Sequence, residues 1–197
     1  MPLISDNIDE QLRAVRVLRS TDAEYPQLLL ERLGEQAPKS LNVVGEPALL
    51  LQPKKTALFC SVHCPAQKIL GAYDITRRLR DDGTTVISGF HSPVEKECLR
   101  ILLEGRQPII VCLARALAKI RLSSDWRQAV KSGRLLLISR FEKSRRADKD
   151  TARRRNELVA ALADEVLILH ANPGSGIERI SALTNDWKVP TKHLDST

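Results

Sequence analysis

The segment Thr85–Cys98 reads TVISGFHSPVEKEC and passes from a strand to a helix within one short turn. Its first residues, 85–87, are largely β-branched, as is typical of a buried strand. A Ser-Gly pair then interrupts the apolar run, and Ser92, Pro93 and Glu95 match the capping box that begins a helix. The segment therefore predicts a strand, a tight turn and a helix. Helix capping and a role toward a ligand are two open explanations for Glu95.

The same order of strand and helix recurs along the rest of the chain. Strands are predicted at 41–44, 57–60, 85–87, 109–113, 135–138 and 166–170, and helices at 66–80, 93–103, 125–131, 152–163 and 176–184. Strands rich in Val, Ile and Leu that alternate with helices indicate a parallel sheet with helices on both faces. The predicted fold class is therefore α/β, with a doubly wound, mostly parallel sheet.

The N-terminal part of the chain shows helical rather than alternating spacing. Apolar residues recur every three or four positions at Ile8, Leu12, Val15 and Leu18, and again at Tyr25, Leu28, Leu29 and Leu33. We predict a short N-terminal helical extension over residues 1–38 and one main domain over residues 39–197. The first apolar stripe packs either on this domain or on a second subunit, so a homo-oligomer is an open alternative.

Composition favours a cytoplasmic location. Residues 1–11 lack the basic and apolar regions of a signal peptide, and no apolar run reaches the roughly 20 residues of a membrane helix. All four cysteines lie in or beside apolar segments, and cytoplasmic thiols stay reduced. We therefore expect no membrane contact and no disulfide.

The formal net charge of +7 favours an anionic partner, either a nucleic acid, a nucleotide or an acidic protein. The excess of positive charge is concentrated between residues 140 and 156. A solvated loop with weak surface ion pairs would explain part of it. The alternative is contact with the phosphates of a nucleic acid, for which the candidate side chains are Lys143, Arg145, Arg146, Arg153 and Arg154.

Ligands of doubly wound sheets bind at the carboxyl ends of the strands, where helix N-termini offer free N–H groups. Gly89 lies at such a position and allows the backbone to approach an anion closely. His91 follows it either as a surface residue or as a ligand contact, and Phe90 is a candidate platform for base stacking. Arg155 extends the buried stripe of its helix, so its charge should meet either a phosphate or an internal acid such as Glu95.

The turn at 173–178 reads PGSGIE and offers backbone N–H groups that could cradle a phosphate. Ser175 and Glu178 also match a capping box, which is the simpler explanation. Cys60, His63 and Cys64 are interpreted as core thiols beside a loop histidine, because no fourth zinc ligand is apparent. The chain lacks the Walker A and Gly-x-Gly-x-x-Gly motifs, so we expect no cofactor and no metal.

Four features follow the order and spacing of one protein family: Ser88-Gly89 after a strand, Arg155-Asn156 opening a helix, the next strand at 163–168, and Ser175-Gly176 after it. With them, residues 25–184 resemble the DNA-processing protein A (DprA/Smf) family. The resemblance implies a Rossmann-like domain that binds single-stranded DNA in DNA processing or recombination, with a recombinase as a further partner. It also implies a wider superfamily of nucleotide sensors and LOG-type phosphoribohydrolases.

Two positions depart from the family's pattern. The family has Gly-Ser-Arg after its first Rossmann strand, whereas this chain has Cys60-Ser61-Val62, so only Ser61 carries over. Pro93-Val94-Glu95 stands where the family has Gly-Ile-Asp. The resemblance therefore indicates a divergent member.

The sequence thus predicts a protein that binds single-stranded DNA through phosphate contacts in a crevice. The predicted ligand-binding residues are Ser61, Ser88, Gly89, Phe90, His91, Arg155, Asn156, Gly174, Ser175 and Gly176. One alternative is a nucleotide sensor or a LOG-like N-glycosidase, in which Arg155 would act with Glu95 or Glu178 as the candidate catalytic residue. Another is a protein-interaction module whose basic face meets acidic partners.

Overall fold

A computed structural model describes residues 14–118, 120–143 and 146–194. Within these ranges the strands form one eight-stranded sheet in the order β1-β2-β6-β5-β4-β3-β7-β8. The strands are β1 (Arg16–Arg19), β2 (Ser40–Val44), β3 (Thr56–Cys60), β4 (Val86–Ser88), β5 (Ile109–Cys112), β6 (Leu135–Ser139), β7 (Glu165–His170) and β8 (Thr191–His193). Strands β6, β5, β4, β3, β7 and β8 pair in parallel, and β2 pairs antiparallel with β6 and β1.

Helices cover both faces of this sheet, which confirms the predicted α/β, doubly wound fold class. The α-helices are α1 (Leu28–Leu33), α2 (Ala66–Asp81), α3 (Pro93–Leu103), α4 (Ser124–Lys131), α5 (Lys149–Leu162) and α6 (Gly176–Asp186). Short 3-10 helices occupy Gly34–Gln36 and Pro47–Leu51. None of the helices in the described ranges is long and apolar enough to cross a membrane.

Alternating side chains of the central strands supply two hydrophobic cores, one on each face. In β3, Ala57 and Phe59 belong to one core, whereas Leu58 and Cys60 belong to the other. Helices α1, α5 and α6 complete the first core, and α2, α3 and α4 complete the second. Because both faces are buried, these strands are almost uniformly apolar, as parallel strands of doubly wound sheets usually are.

The strand order places a topological switch point between β3 and β7. After β3 the chain adds β4, β5 and β6 on one side, and it then returns to place β7 on the other side of β3. The β3–β7 register shifts between Phe59 and Cys60, at the carboxyl end of β3. Loops that leave the two strands therefore diverge there, which opens the crevice in which such sheets bind ligands.

The helix predicted around Val15 and Leu18 is wrong, because Arg16–Arg19 forms the edge strand β1. Leu18 is buried while the other three residues of β1 are exposed, so pairing with β2 buries one side chain. The later part of the predicted extension does contain a helix, α1. Ile8 and Leu12 lie outside the described residues, and the division of the chain at residue 38 stays a prediction.

Candidate functional site

A crevice of about 530 Å³ opens at the switch point, at the carboxyl ends of the parallel strands. It lies between the loops after β3, β4 and β7 and the first turns of α5 and α6. Most of the predicted ligand-binding residues line it, namely Ser61, His91, Arg155, Asn156, Gly174, Ser175 and Gly176. Lys149, Arg153 and Arg179 add positive charge to its walls.

The guanidinium of Arg155 packs against Gly89, in the turn after β4. A β-carbon built on Gly89 would overlap with Nη1, Cζ and Nε of Arg155. Glycine is thus required at this position to leave room for the guanidinium. The structure thus places a cation, the Arg155 guanidinium, against Gly89, where the sequence predicts the close approach of an anion.

The guanidinium of Arg155 is a buried positive charge. The residue is only 6% exposed, and its Nε donates a hydrogen bond to Asn156 Oδ1 at 2.8 Å. Burial lowers the pKa of Arg155, whereas the nearby charge of Glu95 acts in the opposite direction. An arginine nevertheless keeps its proton in a protein. Among the described residues, Nη1 and Nη2 of Arg155 have no hydrogen-bond partner, so the crevice contains a buried cation with free donors.

Glu95 forms the capping box that the sequence predicts. Its Oε2 accepts hydrogen bonds from the backbone N–H groups of His91 and Ser92 at 2.7 and 3.1 Å, and Ser92 Oγ accepts one from the backbone of Glu95. Oε1 accepts a further bond from Cys60 N at 2.9 Å. The carboxylate thereby joins the end of β3 to the start of α3, and it acts on Arg155 through space.

Ser61 is held at the mouth of the crevice by Asn172. Ser61 Oγ accepts a hydrogen bond from Asn172 N at 3.0 Å, and Asn172 Nδ2 donates to the carbonyl of His63 at 3.0 Å. Asn172 Oδ1 lies 2.9 Å from Nε2 of His170. Asn172 is not among the residues predicted from the sequence, although a polar residue just past the carboxyl end of a central strand is a usable signal.

The glycine turn after β7 differs from the predicted capping box. Ser175 is the N-cap of α6, but its hydroxyl makes no capping bond, and its buried Oγ has no partner among the described residues. Glu178 Oε2 instead accepts a hydrogen bond from Gly174 N at 2.7 Å. Ser175 lines the crevice, and its hydroxyl at the N-terminus of α6 is buried without a hydrogen-bond partner among the described residues.

Two predicted residues serve the fold beside the crevice. Ser88 Oγ donates to the carbonyl of Leu58 at 2.6 Å and accepts from Phe90 N at 3.3 Å, which ties β4 to β3. Phe90 has a positive φ of 45°, and its ring is buried in the core beneath α3. His91, in contrast, is exposed and lines the crevice.

The predicted DNA-binding side chains fall partly in a second cavity, which we call the basic groove. Lys143, Arg153 and Arg154 line it, and Arg154 Cζ lies 5.7 Å from the centroid of the Phe141 ring. Arg146 is exposed on the loop before α5, and Arg145 lies outside the described residues. Arg153 is shared between the crevice and the basic groove.

A metal centre has no support in the parts of the chain that the structure describes. There, no group of three or more His, Cys, Asp or Glu side chains could hold a metal ion. Cys60 is buried in β3, whereas His63 is exposed and Cys64 is half-buried on the loop that follows. Burial, the largest cause, raises the pKa of the Cys60 thiol, so the thiolate that a metal requires is disfavoured.

Fold and site together define a doubly wound, Rossmann-like α/β protein with a positively charged crevice at its switch point. The chain belongs to the DNA recombination-mediator protein A family, whose model matches residues 16–186. A comparison with curated proteins gives no significant match.

Solved structures show the same fold. DNA processing protein A from Helicobacter pylori, which binds single-stranded DNA, matches with a TM-score of 0.72 at 22% identity, over 92% of this chain and 81% of that protein. DprA from Streptococcus pneumoniae matches with a TM-score of 0.68 at 20% identity, over 92% of this chain and 64% of that protein. The molybdenum cofactor binding protein of Rippkaea orientalis matches with a TM-score of 0.51 at 12% identity, over 73% of this chain and 77% of that protein.

Proposed function

We propose that this protein binds single-stranded DNA through phosphate contacts in the crevice and acts in DNA processing or recombination. One observation carries the proposal: Arg155 is a buried cation that lines the crevice, its Nε is bound to Asn156, and no carboxylate of the described residues forms an ion pair with it. An arginine fork suits a phosphate because it can donate two parallel hydrogen bonds. Family membership and the DNA-binding relative from Helicobacter pylori support the same assignment.

The proposed phosphate contacts come from three parts of the crevice. Arg155 supplies the charge, with Asn156 beside it and Gly89 making room for it. Ser61 and the turn at 174–176 supply hydroxyl and backbone donors around this charge. His91 lines the crevice and would add a further contact, while Ser88 and Phe90 hold the turn that carries Gly89.

Phosphate contacts rather than base stacking should dominate the affinity. Among the described residues, no Phe, Tyr or Trp side chain lines the crevice, and Phe90 and Phe141 are 5% and 8% exposed. Sequence-neutral binders of single strands usually stack bases on exposed aromatic rings. Binding should therefore be steeply salt-dependent, with a logarithmic slope of about −0.7 for each phosphate contact.

The geometry gives less support to an N-glycosidase. Both candidate catalytic carboxylates already accept hydrogen bonds from backbone N–H groups: Glu95 from three residues and Glu178 from Gly174. Both oxygens of Glu95 are therefore occupied, and Glu178 is exposed and does not line the crevice. A recombinase partner, on the basis of the family, and a cytoplasmic setting, on the basis of the composition, complete our proposal. The homo-oligomer stays an open alternative.

Fluorescence anisotropy with labelled oligothymidylates of about 2 to 12 nucleotides, at several salt concentrations, tests the proposal. Affinity should rise with length and fall with salt, and Arg155→Gln should weaken binding by about 10-fold or more. Arg77→Gln, on the exposed side of α2, is the matched control and should bind like the wild type. Equal affinity for thymidine monophosphate and the longest strand, or full affinity of Arg155→Gln, would overturn the proposal.

A further inference from the structure

The basic groove has the size and lining of a binding site in its own right. It measures about 820 Å³ and lies between the segment 35–40 and the start of α5. The basic side chains that line it are Lys39, Arg140, Lys143, Arg153, Arg154 and Arg179, and the acidic ones are Glu35, Glu142 and Glu157. Lys39, Arg140 and Arg179 are distant from one another in sequence, and the fold alone brings them together.

Glu157 organises the boundary between the crevice and the basic groove. This carboxylate is 4% exposed, and its Oε1 lies 2.8 Å from Nη1 of Arg153 and 3.7 Å from Nε of Arg179. Both arginines line both cavities. The buried carboxylate thus pairs with Arg153 and lies near Arg179, in the wall that the two cavities share.

Arg140 and Arg154 repel each other in the basic groove. Arg140 donates from Nη2 to the carbonyl of Gln36 at 2.8 Å rather than to a carboxylate. Burial, the largest cause, lowers the pKa of Arg140, and the charge of Arg154 lowers it further, while Glu157 acts in the opposite direction. The closest carboxylate oxygen to Arg154 belongs to Asp150, at 4.0 Å. An anion in the groove would relieve this repulsion.

We propose that the basic groove binds further phosphates of the same DNA strand that occupies the crevice, so that the strand passes over Arg153 and Arg179 from one cavity into the other. This inference rests on the proposed function and extends its site to Lys39, Arg140 and Arg179. Continuity with the crevice favours a polynucleotide over an acidic protein.

The test compares three variants over the same series of strand lengths. In the groove variant, Lys39→Gln with Arg140→Gln, the shortest strand should bind as in the wild type, because it fills the crevice alone. The longest strand should lose about 10-fold or more in affinity, and its salt slope should become shallower by about 1.4 for two lost contacts. The crevice variant Arg155→Gln should lose affinity at every length.

The control variant is Arg77→Gln with Arg78→Gln, which removes the same charge from the exposed face of α2, on the other side of the sheet. It should retain full affinity at all lengths. A groove variant that binds the longest strand like the wild type overturns this inference and leaves the crevice assignment standing. The inference is also overturned if the control variant loses affinity for the longest strand as the groove variant does, because the change in net charge would then explain both losses. A higher affinity of the groove for a polyglutamate peptide than for the longest strand would overturn the inference as well.

Discussion

The guanidinium of Arg155 occupies the space that a side chain at residue 89 would need, so Gly89 and Arg155 form one structural unit. The two residues come from different layers of the fold, Gly89 from the turn after β4 and Arg155 from the first half of α5. Their contact explains why the turn after β4 contains glycine. It also explains how a buried arginine reaches the crevice while its backbone remains in the core-facing stripe of α5.

The first prediction concerns Gly89→Ala. The added methyl group would displace the Arg155 guanidinium, and the affinity for single-stranded DNA should fall about 10-fold or more, because hydrogen bonds to a charged group contribute about 1.5–3 kcal/mol. Gly71→Ala in α2 is the matched control, since its β-carbon would meet Leu194 at an ordinary contact distance of 3.5 Å. Oligothymidylate anisotropy measures both. Undiminished binding by Gly89→Ala would show that the position of Arg155 does not matter.

The second prediction concerns Glu95→Gln. The carboxylate accepts three backbone hydrogen bonds, and an amide would turn one of its acceptors into a donor that faces an N–H group. The free energy of unfolding in urea should fall by about 1–3 kcal/mol. Glu97→Gln on the same helix removes a surface ion pair with Arg100. It should change the free energy of unfolding by less than about 0.5 kcal/mol. Equal effects of the two substitutions would contradict the structural role of Glu95.

Much of the fold is predictable because its elements have strong local signals. The helix 93–103 is confirmed with the predicted bounds, since Ser92 and Glu95 cap its start and the buried stripe marks its length. The central strands are confirmed within a residue or two because they are continuous apolar runs. Arg155 is confirmed in the buried stripe of α5 by the spacing of Leu158, Val159 and Leu162.

The elements that the sequence did not reveal are short or depend on distant partners. β1 and β8 have four and three residues, too few to separate a period of two from helical spacing. Arg179 lies on the exposed surface of α6, and its Nε lies 3.7 Å from Oε1 of Glu157 on α5, a contact between distant residues that no local pattern predicts. The capping pattern of Ser175 and Glu178 was misleading because Glu178 binds Gly174 N instead.

The third prediction is a loss of stability in alkali. Burial raises the pKa of the Cys98 thiol and that of the Tyr25 hydroxyl to about 12, and it also raises the pKa values of Cys60 and Cys112. In the unfolded chain these thiols ionise near pH ~8.5, so above that value the unfolded state releases protons that the native state retains. The free energy of unfolding should therefore fall as the pH rises, by about 1.4 kcal/mol per pH unit for each buried thiol.

Urea unfolding between about pH 8 and about pH 10.5 measures this slope. Cys98→Ala should be less stable than the wild type near pH 8 because it leaves a small cavity, yet its stability should decline less steeply with pH. The difference between the two slopes isolates one thiol from every other titrating group. Parallel slopes would mean that Cys98 ionises alike in both states.

The fourth prediction contrasts two serines that each precede a helix. Ser92 Oγ accepts a capping bond from Glu95 N at 3.2 Å, so Ser92→Ala should lower the free energy of unfolding by about 1 kcal/mol. Ser175 Oγ is buried without a partner among the described residues, so Ser175→Ala should leave that free energy unchanged or raise it slightly.

Although Ser175→Ala should not lower the stability, it should weaken the binding of DNA. We expect Ser175 Oγ to donate a hydrogen bond to a phosphate of the bound strand. Loss of this bond to a charged group should lower the affinity for single-stranded DNA by about 5-fold or more. A stable Ser175→Ala protein with weakened binding would assign the unused hydroxyl to the ligand. Full binding together with unchanged stability would show that Ser175 Oγ has no role in either, and the phosphate would then depend on Arg155 and the backbone of the turn.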